Sequence, residues 1–338
     1  MVTPTYIWND TMVVTVPTYR EGNGARPVNL NKDIPALMDL LQTVFGEKMD
    51  GHSRRVFADA QYSPKPAFFW RLNPAVSRLS PGFVWEANGR IVGNVTLLAT
   101  SSPRRYLVAN VAVAPDHRRR GIAYGLMAAV EAEVSSRGGH EVLLQVVKDN
   151  EPAVKLYQNL NYESLGSITT WHTSISRLRD LPYQPEYGAH PPIKSLPRNR
   201  WREAFMLDKM SLHPDLNWPE PIPNDIYKQS WWQRFSNFMN GRFLETWVVI
   251  NTEGQMVGLG RIWGEWGRPH LVALRVHPQW KGQIERPLFT KIIRRLRQLP
   301  RRNVRFDHPD NDELVNNLLS EANFTKKRTL THMRRELE

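Results

Sequence analysis

From Val111 the chain reads Val-Ala-Val-Ala-Pro-Asp-His-Arg-Arg-Arg-Gly-Ile-Ala123, and it continues directly into Tyr124-Gly-Leu-Met-Ala-Ala-Val-Glu131. An apolar β-type run ends at Pro115, Asp116 and His117 lead into three arginines, and Gly121 stands where a helical apolar pattern begins. The chemistry open to this order of residues is anion binding. The first N–H groups of a helix lack intrahelical acceptors and sit at the positive end of its dipole, which makes them a ready site for phosphate. Gly121 has no Cβ to hold an anion off the backbone, and Ala123 is nearly as small. Arg118, Arg119 and Arg120 add positive charge at the mouth of the turn.

A turn of this kind works only between a strand and a helix that hold it still. The flanking patterns predict a strand over 106–114 and a helix over 124–136 closed by Gly138-Gly139. Next comes a β-branched strand over 141–147, then a helix from Asn150 to Leu160 with Pro152 in its first turn. Residues 162–176 return as a strand or hairpin. Upstream, 83–86 and 91–98 read as strands joined by Asn88-Gly89, a strong hairpin signal. Asp33 reads as the N-cap of a helix over 36–45, with Pro35 just inside it. A strand over 12–19 broken at Gly22-Asn-Gly24, a short helix near 53–60 and a Pro-rich aromatic loop over 62–79 complete the region. Strands and helices alternate as in a mixed α/β fold.

With 338 residues the chain exceeds the roughly 250–300 that a single core usually reaches, so two domains are expected. A net charge of +12 favours anionic partners without choosing among them. The absence of cysteine excludes disulfides, thiolate metal sites and cysteine nucleophiles. Histidines show no ligand-type spacing, and no metal is expected. No leader pattern succeeds Met1, and no apolar stretch approaches the about 20 residues of a membrane span. The expectation is a cytoplasmic protein with no membrane partner.

Prolines cluster between 178 and 200 without any helical or strand period, which marks a linker. Beyond this linker the chain repeats its first half at low similarity. A hairpin over 243–262, a strand over 271–276, a helix over 288–299, a strand over 304–306 and a helix over 313–322 occur in the same order. Val113 aligns with Val276, Asp149-Asn150 with Asp310-Asn311, and Tyr162 with Phe324, at offsets of 161 to 163 residues. Three anchors in order argue for a duplicated domain. The expected domains are therefore 1–177 and 201–338, joined by 178–200.

The first half resembles the GNAT acetyltransferases. Arg118-Arg119-Arg120-Gly121-Ile122-Ala123 matches their signature of Arg or Gln, two residues, Gly, one residue, then Gly or Ala, and the upstream Val-Ala-Val-x-Pro and downstream Asn150…Ala153…Leu156-Tyr157 stand at the family's spacing. The resemblance covers roughly residues 10 to 177. It implies two GNAT-like domains, each a mostly antiparallel mixed sheet flanked by helices, and transfer of an acetyl group from acetyl-CoA to an amine. Carried over residue by residue, it assigns Val111, Ala112 and Val113 to the acetyl group and pantetheine arm. Arg118, Arg119, Arg120, Gly121, Ile122, Ala123 and Tyr124 take the diphosphate, Asn150 the pantetheine, and Tyr157 the role of general acid at the thioester sulfur. A tyrosine with a pKa near 10 can protonate a thiolate whose own is near 8.5.

Other positions depart from the pattern. Where many members carry a glutamate on the strand before the motif, Leu107-Val-Ala-Asn110 offers no carboxylate, and Asn110 cannot take a proton. Glu86 and His172 are the titratable alternatives, and the base is left unassigned. In the second half, Lys281-Gly-Gln-Ile-Glu-Arg286 falls on the diphosphate loop, so that Ile284 replaces the key glycine, Arg286 the small residue, and Pro287 removes a donor. Leu318 or Leu319 falls on Tyr157. The second domain is expected to keep the fold without binding coenzyme A.

The acceptor is a small-molecule or peptide amine of unspecified identity, and the oligomeric state is open. The competing class is a non-catalytic acyl-CoA-binding or interaction module. Nucleic acid is not expected, because the arginines of 291–305 read as the outer face of an amphipathic helix. The seven tryptophans between Trp201 and Trp266 read either as the lining of an acceptor pocket between domains or, the commoner case, as core aromatics.

Overall fold

The computed structural model of the protein describes residues 22–46, 79–102, 104–182, 190–217, 222–228 and 230–337. The strand expected over 12–19, the helix near 53–60 and the loop over 62–78 lie outside them. The chain divides into two compact units of interleaved segments. The first consists of Met1–Leu144, Leu156–Tyr162 and Arg334–Glu338; the second of Gln145–Lys155 and Glu163–Met333.

In the first unit, β1 (Gly24–Pro27), β2 (Leu79–Ala87), β3 (Arg90–Ala99) and β4 (Arg105–Val113) pair antiparallel in that order. Gly24 thus belongs to a strand, where the sequence pattern suggested a break. Asn88 and Gly89 turn the β2–β3 hairpin with φ of 50° and 74°, the left-handed pair that a two-residue turn needs. β5 (Glu141–Val147) joins β4 in parallel over Arg105–Val108 against Glu141–Leu144. Helix α1 (Ile34–Phe45) buries Ile34, Leu37, Met38 and Leu41 against Val84 and Ala112. Asp33 precedes α1 without capping it. Its carboxylate instead accepts from Arg26 at 2.7 and 3.0 Å and from the Asn29 N–H at 2.7 Å.

Helix α2 (Ile122–Ser136) packs its Gly125 face on Trp85, and a Cβ at Gly125 would stand 2.5 Å from that ring. Gly125→Ala therefore overpacks the joint between helix and sheet, and a loss of about 1–3 kcal/mol in chemical denaturation is expected. Helix α3 (Glu151–Asn159) comes next in the chain, with its last residues in the first unit.

The second unit repeats the order of strands and helices from the β-hairpin onward. It contains β6 (Glu163–Ser174), β7 (Ile193–Ser195), helices α4 (Trp201–Ser211) and α5 (Trp231–Met239), and strands β8 (Arg242–Ile250), β9 (Met256–Glu265) and β10 (His270–Val276). Then come α6 (Glu285–Leu296), β11 (Asn303–Pro309), α7 (Glu313–Glu321) and β12 (Thr325–Glu336), whose last residues belong to the first unit. The strands neighbour one another as β12-β6-β11-β10-β9-β8-β7. β10 and β11 are parallel over His270–Val272 against Val304–Phe306, and β6 pairs antiparallel with β11. Leu288, Phe289, Ile292, Ile293 and Leu296 of α6 are fully buried in the core.

The repeat extends to backbone detail. Short 3-10 turns at Pro115–His117 and Pro278–Trp280 come directly after β4 and β10, and Asn161 and Asn323 close α3 and α7 with φ of 59° and 66°.

Candidate active site

Strand β4 carries a bulge. Thr96 lies opposite Ala109 and Asn94 opposite Ala112, so β4 contains one residue more than β3 at this point. Asn110 absorbs the irregularity with φ of 52°, a left-handed conformation that asparagine tolerates better than most residues. Its side chain, silent as a base, thus has a backbone role. The bulge is clamped from β3: Asn94 is fully buried and donates from Nδ2 to the Asn110 carbonyl at 2.8 Å. A bulge bends a strand and re-aims the residues beyond it, which here are Val111, Ala112 and Val113. The parallel ladder to β5 ends at Val108, so this stretch continues beyond the paired base. Ala112 is buried on α1, while Val111 and Val113 are half-buried.

Asn94 was not singled out from sequence, although a polar residue inside Val92-Gly-Asn-Val95 is a detectable anomaly. Asn94→Ala removes the clamp and leaves a buried carbonyl unpaired. A loss of about 1–3 kcal/mol in chemical denaturation is expected.

The loop after β4 is open to solvent. Arg118 donates from Nε to the Val113 carbonyl at 3.2 Å, and Arg120 from Nη2 to the Asp116 carbonyl at 2.9 Å, so two of the three arginines also brace the turn. Asp116 is held below the usual carboxylate range by its contact with His117. Gly121 has φ of 75°, and a Cβ built on it meets nothing within 4 Å. The glycine is required by the backbone conformation, and the space beside it is free for a ligand. Helix bonding starts with Gly125 N–H to Gly121 carbonyl at 2.9 Å, which leaves the earlier N–H groups of α2 directed outward. These donors, with the positive helix end and the arginines, fit a diphosphate.

Tyr157 is 5% exposed and meets Tyr162 edge-on with ring centroids 5.9 Å apart. Burial raises its pKa well beyond the ordinary tyrosine value, so the phenol stays neutral. Its helix end is pinned from the far end of the chain. Arg335 donates from Nη1 to Glu131 of α2 and to the carbonyl of Leu160, each at 2.8 Å. No sequence signal near Tyr157 points to Arg335.

The first unit therefore holds Val111, Ala112, Val113, Arg118 to Tyr124 and Tyr157, whereas Asn150 belongs to the second. Of the titratable alternatives, Glu86 is engaged by Arg26 Nε at 2.6 Å. His172 lies on β6 of the second unit in register with Arg305, its pKa lowered by burial.

The second unit supplies an internal comparison. Gly93 pairs with Val113 and Gly258 with Val276, so the two glycines correspond. Ile122 packs on Gly93, and Ile284 packs on Gly258. Ile284 is therefore the counterpart of Ile122 and does not replace the key glycine. The second loop is one residue shorter than the spacing of the sequence anchors implied, because packing on the glycine, not the distance from Val276, sets the register. In this register Glu285 takes the place of Ala123. Glu285 is 4% exposed, and its carboxylate accepts from the Gly282 N–H at 2.9 Å and the Ile284 N–H at 3.2 Å. Burial raises its pKa. An internal carboxylate thus occupies the donors that a bound diphosphate would need. Arg286 is drawn away to Glu321 at 2.8 and 2.9 Å, and Leu318 and Leu319 are buried core. A cleft of about 410 Å³ remains between the ends of β10 and β11, lined by Leu274, Val276, His308 and Asp310 among others.

Among the described residues no group of three or more His, Asp or Glu is placed to hold a metal ion. The model of the acetyltransferase (GNAT) family matches residues 36–162. An acetyltransferase of Pectobacterium atrosepticum is 36% identical over 86 residues, 25% of this chain and 60% of that protein. One of Yersinia pseudotuberculosis is 33% identical over 85 residues, 25% of this chain and 59% of that protein. The chain thus spans about three fifths of the length of these relatives. A GCN5-related N-acetyltransferase from Sphaerobacter thermophilus shares the fold at a TM-score of 0.56 and 14% identity, over 94% of this chain and 97% of that one. A tandem GNAT protein from the clavulanic acid biosynthesis pathway aligns at a TM-score of 0.45 and 16% identity, over 92% of this chain and 98% of that one.

Proposed function

We propose that the chain, whose residues 36–162 match the model of the acetyltransferase (GNAT) family, is an N-acetyltransferase whose first unit binds acetyl-CoA and acetylates an amine, and whose second unit does not bind coenzyme A. The observation that carries this reading is the contrast between the two helix starts: open at Gly121, filled by a carboxylate at Glu285.

In this reading the N–H groups from Arg119 to Tyr124 and the three arginines hold the diphosphate, and the re-aimed backbone of Val111 to Val113 receives the pantetheine and the thioester. A neutral amine attacks the thioester carbonyl and forms the N–C bond, a backbone N–H of this strand stabilises the resulting oxyanion, and the C–S bond breaks as the carbonyl re-forms. Tyr157 delivers its proton to the departing sulfur, and the amine's surplus proton passes through water and restores the phenol. Holding two substrates side by side supplies much of the rate, so no strong base is required. The acceptor is a small or peptide amine, and the reaction belongs in the cytoplasm, where acetyl-CoA is available.

A titration of the full chain with coenzyme A tests the reading. One site per chain is expected, with a gain in stability of about 2.7 kcal/mol at a hundred times the dissociation constant. Two equivalent sites, or none, would overturn it.

A further inference from the structure

Helix α5 is built the wrong way round for a soluble surface. All five of its large apolar side chains face solvent: Trp231 is 67% exposed, Trp232 70%, Phe235 50%, Phe238 79% and Met239 67%. The helix does not depend on packing for its start. Ser230 and Gln233 form a reciprocal capping box, with Gln233 N–H to Ser230 Oγ at 3.2 Å and Ser230 N–H to Gln233 Oε1 at 3.0 Å. A preformed helix therefore presents its aromatic residues to solvent. The chain leaves it through Gly241, whose carbonyl accepts from the N–H of Trp266, at 81% the most exposed large apolar residue among those described. Three of the tryptophans that the sequence suggested for cores, Trp231, Trp232 and Trp266, thus form an apolar outcrop with Phe235, Phe238 and Met239. A patch of this kind marks a contact surface.

The charge beside it is positive in excess. Arg242 reaches Glu265 at 2.8 Å, Arg268 reaches the same carboxylate at 3.3 Å, and Arg302 donates to the Glu265 carbonyl at 2.6 Å. Three arginines thus surround one glutamate, next to Trp266. Arg268, Arg301 and Arg302 line a cleft of about 410 Å³ with Ser174, Ser176 and Asn303. Cationic guanidiniums and hydroxyls together suit a phosphodiester. Helix α5 adds Arg234 and contains no acidic residue.

We propose that the aromatic face of α5 with Trp266 and the adjoining arginine cluster dock the protein on an anionic phospholipid bilayer. Aromatic side chains enter the interfacial layer as an apolar block, and the arginines meet the headgroup phosphates. Two other occupants fit less well. A second copy of the chain would bring like arginine clusters together. Single-stranded nucleic acid needs separate aromatic faces for its bases. Here Trp231 and Phe235 stack on each other, 6.0 Å apart at 11°, and the Trp232 ring lies edge-on to Trp231 at 4.5 Å. Among the described residues no helix is long and apolar enough to cross a membrane, so the contact is a surface one.

Co-sedimentation of the full chain with vesicles of phosphatidylcholine, or of phosphatidylcholine and phosphatidylglycerol at about two to one, tests this. Binding is expected only to the anionic vesicles, weakened by salt. The double variant Trp232→Ser, Phe238→Ser lowers partitioning about tenfold or more, and Arg268→Ser with Arg301→Ser lowers it to a similar extent. Both keep the acetyl transfer rate on soluble substrates. Absence of vesicle binding at low salt overturns the proposal, as does binding indifferent to either variant pair. It is also overturned by a dimer that Phe238→Ser dissociates, or by an oligonucleotide that binds more tightly than the vesicles.

Discussion

Ala123→Glu abolishes coenzyme A binding by the first unit, with a loss of affinity of about a hundredfold or more. The second unit already carries a glutamate at this position. There Glu285 stands in the place of Ala123, and its carboxylate bonds the N–H groups of Gly282 and Ile284, the counterparts of Arg120 and Ile122. A glutamate at 123 can reach the same donors, and it sets a negative charge against a dianionic ligand. Like charges brought together in a binding site oppose association by several kcal/mol, and each 1.4 kcal/mol is about a factor of ten. Ala123 is only half-buried, so the new side chain has room to be placed without unfolding the unit. Ala123→Gln separates charge from bulk: it is expected to bind between the parent and the glutamate variant. Calorimetric titration of both variants provides the measurement, and a glutamate variant that keeps the parent's affinity within about threefold would refute the assignment of this loop.

Tyr157→Phe lowers kcat by about a hundredfold to a thousandfold while changing the KM for acetyl-CoA little, as expected for loss of a general acid. The phenylalanine keeps the edge-on contact with Tyr162, and most of the buried surface is retained, so the fold stays intact. The pH dependence comes from the direction of the shift. Burial raises the Tyr157 pKa above its ordinary value near 10, so the acid form persists throughout the working range. The rate should therefore rise with pH as the acceptor amine is deprotonated, and show no fall from Tyr157 ionisation below about pH 10. A descending limb at about pH 8 to 9 that disappears in Tyr157→Phe would show that the phenol titrates there and that its environment is not the buried one described. A variant with unchanged kcat would remove Tyr157 from the chemistry altogether.

Much of this was legible before any coordinates. The hairpin at Asn88-Gly89, the helix after Gly121, strand β5 over Glu141–Val147 and the order of the repeat are local matters of turn chemistry and apolar period, and each appears where the pattern put it. Three features were not. Asp33 sits where an N-cap would, yet its carboxylate goes to Arg26, because an ion pair and a backbone donor compete for the same oxygens. The aromatics of α5 lie outside, because exposure depends on what packs against a helix and not on what the helix contains. Arg335 braces the helix of Tyr157 from the other end of the chain, a contact no local window contains.

The stretch from Val111 to Tyr124 shows where the division falls. A strand, a basic turn, a glycine and a helix are determined by residue type and spacing, because φ preferences and helix ends act over a few residues. That the strand carries a bulge at Asn110 held by Asn94, and that the second copy of the turn is shorter by one residue, were decided only in three dimensions. Hydrogen bonding across strands placed the first, and the packing of Ile122 and Ile284 on Gly93 and Gly258 placed the second. With that register Glu285 moves into the position where its carboxylate fills the donors, and the two copies of one sequence pattern separate into an open site and a closed one.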